Sequence, residues 1–103
     1  MKNVVLLGST GSIGTSTCKV ARDLSEDIRL VGMAAGRNVS LLREQINEFC
    51  PLTVSLQDAD AAQGLAAELN GAPKVVHGAE GLTELATMPE ADIVLIAIVG
   101  TAG

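Results

Sequence analysis

Three glycines at a spacing of three, Gly8, Gly11 and Gly14, carry Ser9, Thr10 and Ser12 between them. No other residues of the chain have types and spacing so well suited to holding a phosphate. A short apolar run, Val4 to Leu7, comes directly before them. Ile13, Thr17, Val20, Ala21 and Leu24 then recur at helical spacing. A strand, a glycine-rich turn and a helix start form the device that grips a diphosphate. The glycines let the anion approach the main chain, and the first helical amides, unpaired inside the helix, point at it. The pattern is G-x-x-G-x-x-G, with Thr10 where the commoner form has its second glycine. A tight turn that binds nothing is the alternative reading, but a plain turn seldom combines three glycines with three hydroxyls. Those hydroxyls have no base and no orienting carboxylate in sequence context, which argues against nucleophilic catalysis.

A second group selects the nucleotide. In dinucleotide folds the residue after the second strand reads the adenosine ribose, a carboxylate favouring NAD and an arginine NADP. Here the stretch is Ala34-Ala35-Gly36-Arg37-Asn38, and no Asp or Glu lies between Ile28 and Leu42. Arg37 offers a planar fork to a 2′-phosphate, Gly36 leaves room for it, and Asn38 can donate or cap the next helix. Arg37 as an ordinary solvated side chain is the plainer alternative.

Other candidates are weaker. His77 is the single histidine, at an expected strand end. Asp58, Asp60 and Glu68 read as a helix cap and a solvated face rather than a metal cluster. The acidic stretch Met88-Pro89-Glu90-Ala91-Asp92 reads as a loop. No catalytic residue and no metal ligand is expected within these 103 residues.

The elements that must position the two phosphate groups alternate. Ile28 to Ala34 is a second apolar run. Val39, Leu42, Ile46, Phe49 and Cys50 make a helical stripe ended by Pro51. Thr53 to Leu56 is a strand, and Asp58 can cap a helix with Ala61, Ala62, Leu65, Ala66 and Leu69 on its apolar face. Asn70-Gly71 would close that helix. Val75-Val76 is a short strand, Gly81 to Thr87 a short helix, and Ile93 to Ile98 a last strand. The expected fold class is α/β, a Rossmann-like parallel sheet with helices on both faces, cut short after its central strands. Runs apolar on both faces, such as Val4 to Leu7 and Ile93 to Ile98, fit strands covered on both sides.

Composition is consistent with one domain spanning 1–103. Hydrophobic residues make up 48% of the chain, and Phe49 is the single aromatic, so the core must be aliphatic. A formal net charge of −5 with scattered Lys and Arg argues against a nucleic-acid or acidic-membrane partner. Cys18 and Cys50 have no metal-ligand context and read as two reduced, partly buried helical thiols, which fits a cytoplasmic setting.

Three segments together are more specific than the loop alone. Gly8-Ser-Thr-Gly-Ser-Ile-Gly14, Ala35-Gly36-Arg37-Asn38-Val39 and Ala97-Ile-Val-Gly-Thr-Ala-Gly103 resemble the 1-deoxy-D-xylulose 5-phosphate reductoisomerase family, in order and over the whole chain. The resemblance implies the N-terminal, NADPH-binding part of an enzyme of isoprenoid biosynthesis. That enzyme rearranges and reduces a sugar phosphate with the help of Mg²⁺ or Mn²⁺. By position, Thr10, Gly11, Ser12 and Ile13 would bind the cofactor diphosphate, and Gly36, Arg37 and Asn38 its 2′-phosphate end. Ala97 to Gly100 would lie near the adenosine and ribose. The family's metal carboxylates, substrate-phosphate site, lid and C-terminal domain would fall beyond Gly103. In the usual strand order Ile93 to Ile98 has a neighbour on one side only and lacks the strand and helices that would cover it, so an exposed apolar edge is expected, and through it a homodimer or a domain-swapped assembly. Two other readings stay open: a stand-alone nucleotide-binding or sensor domain, and another NADP-dependent reductase such as the aspartate-semialdehyde dehydrogenase group.

Overall fold

The structure, a computed structural model, describes residues 2–69 and 73–97. The chain runs β1 (Lys2–Leu7), α1 (Ser12–Asp23), β2 (Ile28–Ala34), α2 (Val39–Phe49), β3 (Thr53–Leu56), α3 (Ala59–Leu69), β4 (Lys74–His77), α4 (Gly78–Ala86) and β5 (Ile93–Ile96). All pairings are parallel, in the order β4-β3-β2-β1-β5. The expected parallel α/β sheet is therefore present, and β2 and β3 have the bounds that the sequence suggested.

Alternation along β1 feeds two cores. Val4 and Leu6 pack with Cys18 and Ala21 of α1, Leu42 and Ile46 of α2, and Ala62 and Leu65 of α3. Val5 and Leu7 pack on the other side with Leu85 of α4. This is the period-2 logic of a strand buried on both faces. The β1–β2 register shifts between Val4 and Val5, which pair with Leu30 and Gly32. Gly32 lies close under α4, where a Cβ would come within 2.9 Å of both Leu85 Cδ2 and Met88 Sδ.

Three sequence expectations need correction. In α1 the buried residues are Gly14, Cys18 and Ala21, while Ile13 and Val20 are 54% and 49% exposed and Leu24 is also exposed. The helix lies so near the sheet that only small side chains fit beneath it. The last strand is not covered on both faces as its apolar run suggested; Ile93 to Ile96 are all exposed, in keeping with the expected free edge, and β1 is the one neighbour of β5 among the described residues. Cys50 is exposed and caps α2 in a left-handed conformation with φ 50°, so it is not a partly buried helical thiol. Cys18 is buried as expected; desolvation first, then the charge of Glu48, pushes its thiol up to about 11. That thiol is inert near neutral pH.

α4 also begins earlier than expected. Gly78, at φ +67°, turns the chain straight from β4 into the helix. The helices of one layer are laced by Arg22 with Glu48 and by Arg43 with Glu68, each bidentate and exposed. Exposed pairs of this kind add little stability. The closure of α3 at Asn70-Gly71 and the stretch beyond Ala97 lie outside the described residues.

Candidate functional site

The glycine loop is folded back over the end of β2. Gly8 and Ser9 both donate their amides to the Ala34 carbonyl, at 2.7 and 2.8 Å, and Gly11 donates to the Gly8 carbonyl at 3.3 Å. Gly8 has φ 95°, a conformation that other residues rarely adopt. Gly14 is required for another reason: a Cβ there would stand 1.9 Å from the Gly8 carbonyl oxygen. Gly11 needs neither allowance. Its φ of −78° is open to any residue, and a Cβ would meet the Gly8 oxygen at an ordinary 3.7 Å. What Gly11 leaves free is the space outside the loop.

Gly11 is the N-cap of α1, and no side chain caps the helix. The amides of Ser12, Ile13 and Gly14 therefore have no partner within the helix. On α2, Asn38 is the cap and accepts from the Leu41 amide at 3.1 Å. Neither α1 nor α2 has an acidic residue in its first turn, whereas α3 has Asp60 and α4 has Glu80 there. Two helix N-termini thus keep their positive ends unneutralised, in a chain of net charge −5.

Between them opens a cavity of about 590 Å³ at the carboxyl ends of the strands. Gly8, Thr10, Gly11 and Gly36 form one side, and Gln57, Gly78 and Ala79 another, over an apolar floor of Ala34, Leu56 and Ala97. No lining residue is titratable. The loops are tied across it by the amides of Ala35 to Ser55 O, Gln57 to Gly36 O and Ala97 to Leu7 O. A Cβ on Gly36 would meet only Gln57 Oε1, at 4.0 Å, so space is open there. This is the size and place of a nucleotide crevice.

Of the residues singled out by sequence, Thr10, Gly11, Gly36 and Ala97 line this cavity. Ser12 and Ile13 form the exposed first turn of α1. Arg37 and Asn38 follow Gly36 directly and are exposed, outside the lining itself. Ile98 to Gly100 lie outside the described residues. Asp58 caps α3 through the Ala61 amide at 2.9 Å, Glu68 pairs with Arg43, and Asp92 accepts from the Asn3 amide at 2.8 Å. His77 is exposed at the start of α4. No three His, Cys, Asp or Glu converge on a metal position among the described residues. Sequence reading passed over Gln57, Gly78 and Ala79, and also Gln45, a buried polar residue three positions after Leu42 on the inward face of α2. That spacing is the signal that could have found it.

The family model described as 1-deoxy-D-xylulose 5-phosphate reductoisomerase matches residues 4–103. The chain is 48% identical to the reductoisomerase of Shouchella clausii over 103 residues, all of this chain and 27% of that protein. It is also 48% identical to the Synechococcus sp. enzyme, covering 26% of it. A crystal structure of DOX-P reductoisomerase in complex with NADPH, fosmidomycin and magnesium superposes with TM-score 0.90 at 30% identity, over 99% of this chain and 26% of that one. The Zymomonas mobilis enzyme in complex with NADPH gives 0.87 at 31% identity, over 99% and 27%. The chain spans about a quarter of the length of the relatives it matches.

Proposed function

Because the chain belongs to the 1-deoxy-D-xylulose 5-phosphate reductoisomerase family, we propose that it is the family's NADPH-holding part, a domain spanning 1–103. The carrying observation is that the acid-free N-terminus of α1 opens on an uncharged cavity, with Gly36 on its wall two residues before the cap of the equally acid-free α2. Thr10 and Gly11, with the amides of Ser12 and Ile13, take the diphosphate. Gly36, Arg37 and Asn38 take the 2′-phosphate, Arg37 as its charged partner and the α2 N-terminus as its dipole. The bound cofactor supplies hydride; this chain's residues orient it.

The whole protein's reaction, on this proposal, is rearrangement and reduction of 1-deoxy-D-xylulose 5-phosphate to 2-C-methyl-D-erythritol 4-phosphate in isoprenoid biosynthesis. The described residues do not fit a divalent metal, so its ligands and the substrate site are assigned to chain outside 1–103. We assign the protein to the cytoplasm and no membrane or nucleic-acid partner to this chain. No helix among the described residues is long and apolar enough to cross a membrane.

Arg37→Ala is expected to weaken NADPH about tenfold and leave NADH unchanged, the effect of losing one charge-assisted contact. Fluorescence titration of both cofactors checks this. Equal losses for the two would remove Arg37 from the 2′-phosphate site.

A homodimer through β5 completes the reading. Its four residues are apolar and exposed, Ile96 at 69%, on an edge strand whose one partner among the described residues is β1. Such edges recruit other chains. The 103-residue chain should associate with rising concentration in light scattering, and Ile96→Lys should oppose it. A monomer at every concentration would refute this.

A further inference from the structure

We infer that Gln45 is a positioning residue for the diphosphate loop, fastening it to α2 from inside the fold; the inference rests on the cofactor reading above. Gln45 lies between Leu42 and Ile46 on the buried face of α2 and is only 5% exposed. Its Nε2 donates to the Ser9 carbonyl at 2.8 Å, a contact that spans 36 residues of sequence. Ser9 is fully buried between Gly8 and Thr10.

The consequence follows from peptide geometry. The Ser9 carbonyl and the Thr10 amide share one planar trans unit and point in opposite directions. A donor that draws the Ser9 oxygen inward therefore turns the Thr10 N–H outward. Thr10 lines the cavity, so that N–H is presented to the anion.

The Ser9 carbonyl would be a buried, unpaired acceptor without this donor, so the contact holds the loop in place as well as aiming it. Gln45 Oε1 and Ser9 Oγ are themselves buried without a partner among the described residues. The same helix carries the Asn38 cap at its N-terminus, two turns away. One rigid element thus carries both proposed phosphate ends, the diphosphate loop through Gln45 and the 2′-phosphate end through Asn38.

The test uses Gln45→Met, which keeps volume and helix propensity, and Gln45→Leu, which likewise cannot donate. Two readouts are taken well below the unfolding midpoint of each variant. The first is amide hydrogen exchange without cofactor. Ser9 and Gly11, which are bonded to Ala34 O and Gly8 O, should exchange about tenfold faster, and amides of β3 should not change. The second is titration with NADPH and with adenosine 2′-monophosphate, which lacks the diphosphate. NADPH should weaken on the order of tenfold and the monophosphate by less than about twofold. Unchanged exchange at Ser9 and Gly11 in both variants overturns the inference. Equal weakening of both ligands also overturns it, because that is the mark of general destabilisation. Failure of the unsubstituted chain to bind NADPH is a different result: it removes the cofactor reading and the purpose of the tether, while the exchange data still decide whether the tether holds the loop.

Discussion

Gly14→Ala is expected to abolish cofactor binding and to destabilise the chain. Intrinsic propensity predicts the opposite, since Ala is favoured over Gly inside a helix by about 1 kcal/mol. The added Cβ would stand 1.9 Å from the Gly8 oxygen and 2.8 Å from the carbonyl carbons of Gly8 and Ser9. All three are backbone atoms, so relief requires α1 to lift or the loop to move. Overpacking of this kind costs about 1–3 kcal/mol and sometimes more, which outweighs the propensity gain. Either relief moves the amides of Ser12 and Ile13 away from the loop they complete. Gly64→Ala is the control. Gly64 is on α3 with nothing within 4 Å of the added carbon, so only propensity acts and the chain should gain roughly 0.5–1 kcal/mol. Thermal unfolding with NADPH titration checks both. Gly14→Ala should melt lower by about 5–15 °C and bind NADPH at least about a hundredfold more weakly. A Gly14→Ala chain as stable as its Gly64→Ala counterpart, with ordinary binding, would show that the loop is a turn without function.

The same contact explains where sequence reading succeeded and where it did not. Strands β2 and β3 were legible to the residue because their apolar runs end at polar or glycine-rich loops. The turn from β1 into α1 was legible because its glycines fall between an apolar run and a helical stripe. The inward face of α1 was misread because hydrophobic periodicity assumes that large apolar residues face the core. Here Gly14 against Gly8 sets the helix so close that Cys18 and Ala21 fill the space, and Ile13 and Val20 turn to solvent. The need for a tight approach overrode the pattern. Gln45 was passed over because a polar residue within a stripe reads as a surface position until its partner, 36 residues away, is known. The exposed edge at β5 was legible only through the usual strand order of such sheets, which no local pattern contains, and the observed order places it there.

Given NADPH, 1-deoxy-D-xylulose 5-phosphate and Mg²⁺ or Mn²⁺, the 103-residue chain is expected to bind cofactor and oxidise none of it. The proposed reaction shifts a carbon skeleton and then reduces an aldehyde. Polarising the hydroxy-ketone calls for hard oxygen ligands around a divalent ion, whose charge stabilisation is worth several kcal/mol. At about tenfold in rate per 1.4 kcal/mol, losing that contribution alone slows the step by roughly a thousandfold. Among the described residues no three His, Cys, Asp or Glu converge on a metal position, and five of the carboxylates are engaged elsewhere: Asp58 in a helix cap, Glu48, Glu68 and Glu84 in ion pairs with Arg22, Arg43 and Lys74, and Asp92 on the Asn3 amide. The cavity itself is lined by glycine, alanine, leucine, serine, threonine and glutamine, none of which can act as acid or base near neutral pH. On the proposal above, its part is to hold the cofactor, the diphosphate at the α1 N-terminus and the 2′-phosphate beside Gly36. Absorbance at the reduced-nicotinamide band, followed with and without metal, measures turnover, and fluorescence titration of the same preparation measures binding. Binding without turnover is the expected pair. Metal-dependent oxidation that requires substrate would place a catalytic centre within these residues and overturn the assignment of chemistry to the rest of the protein.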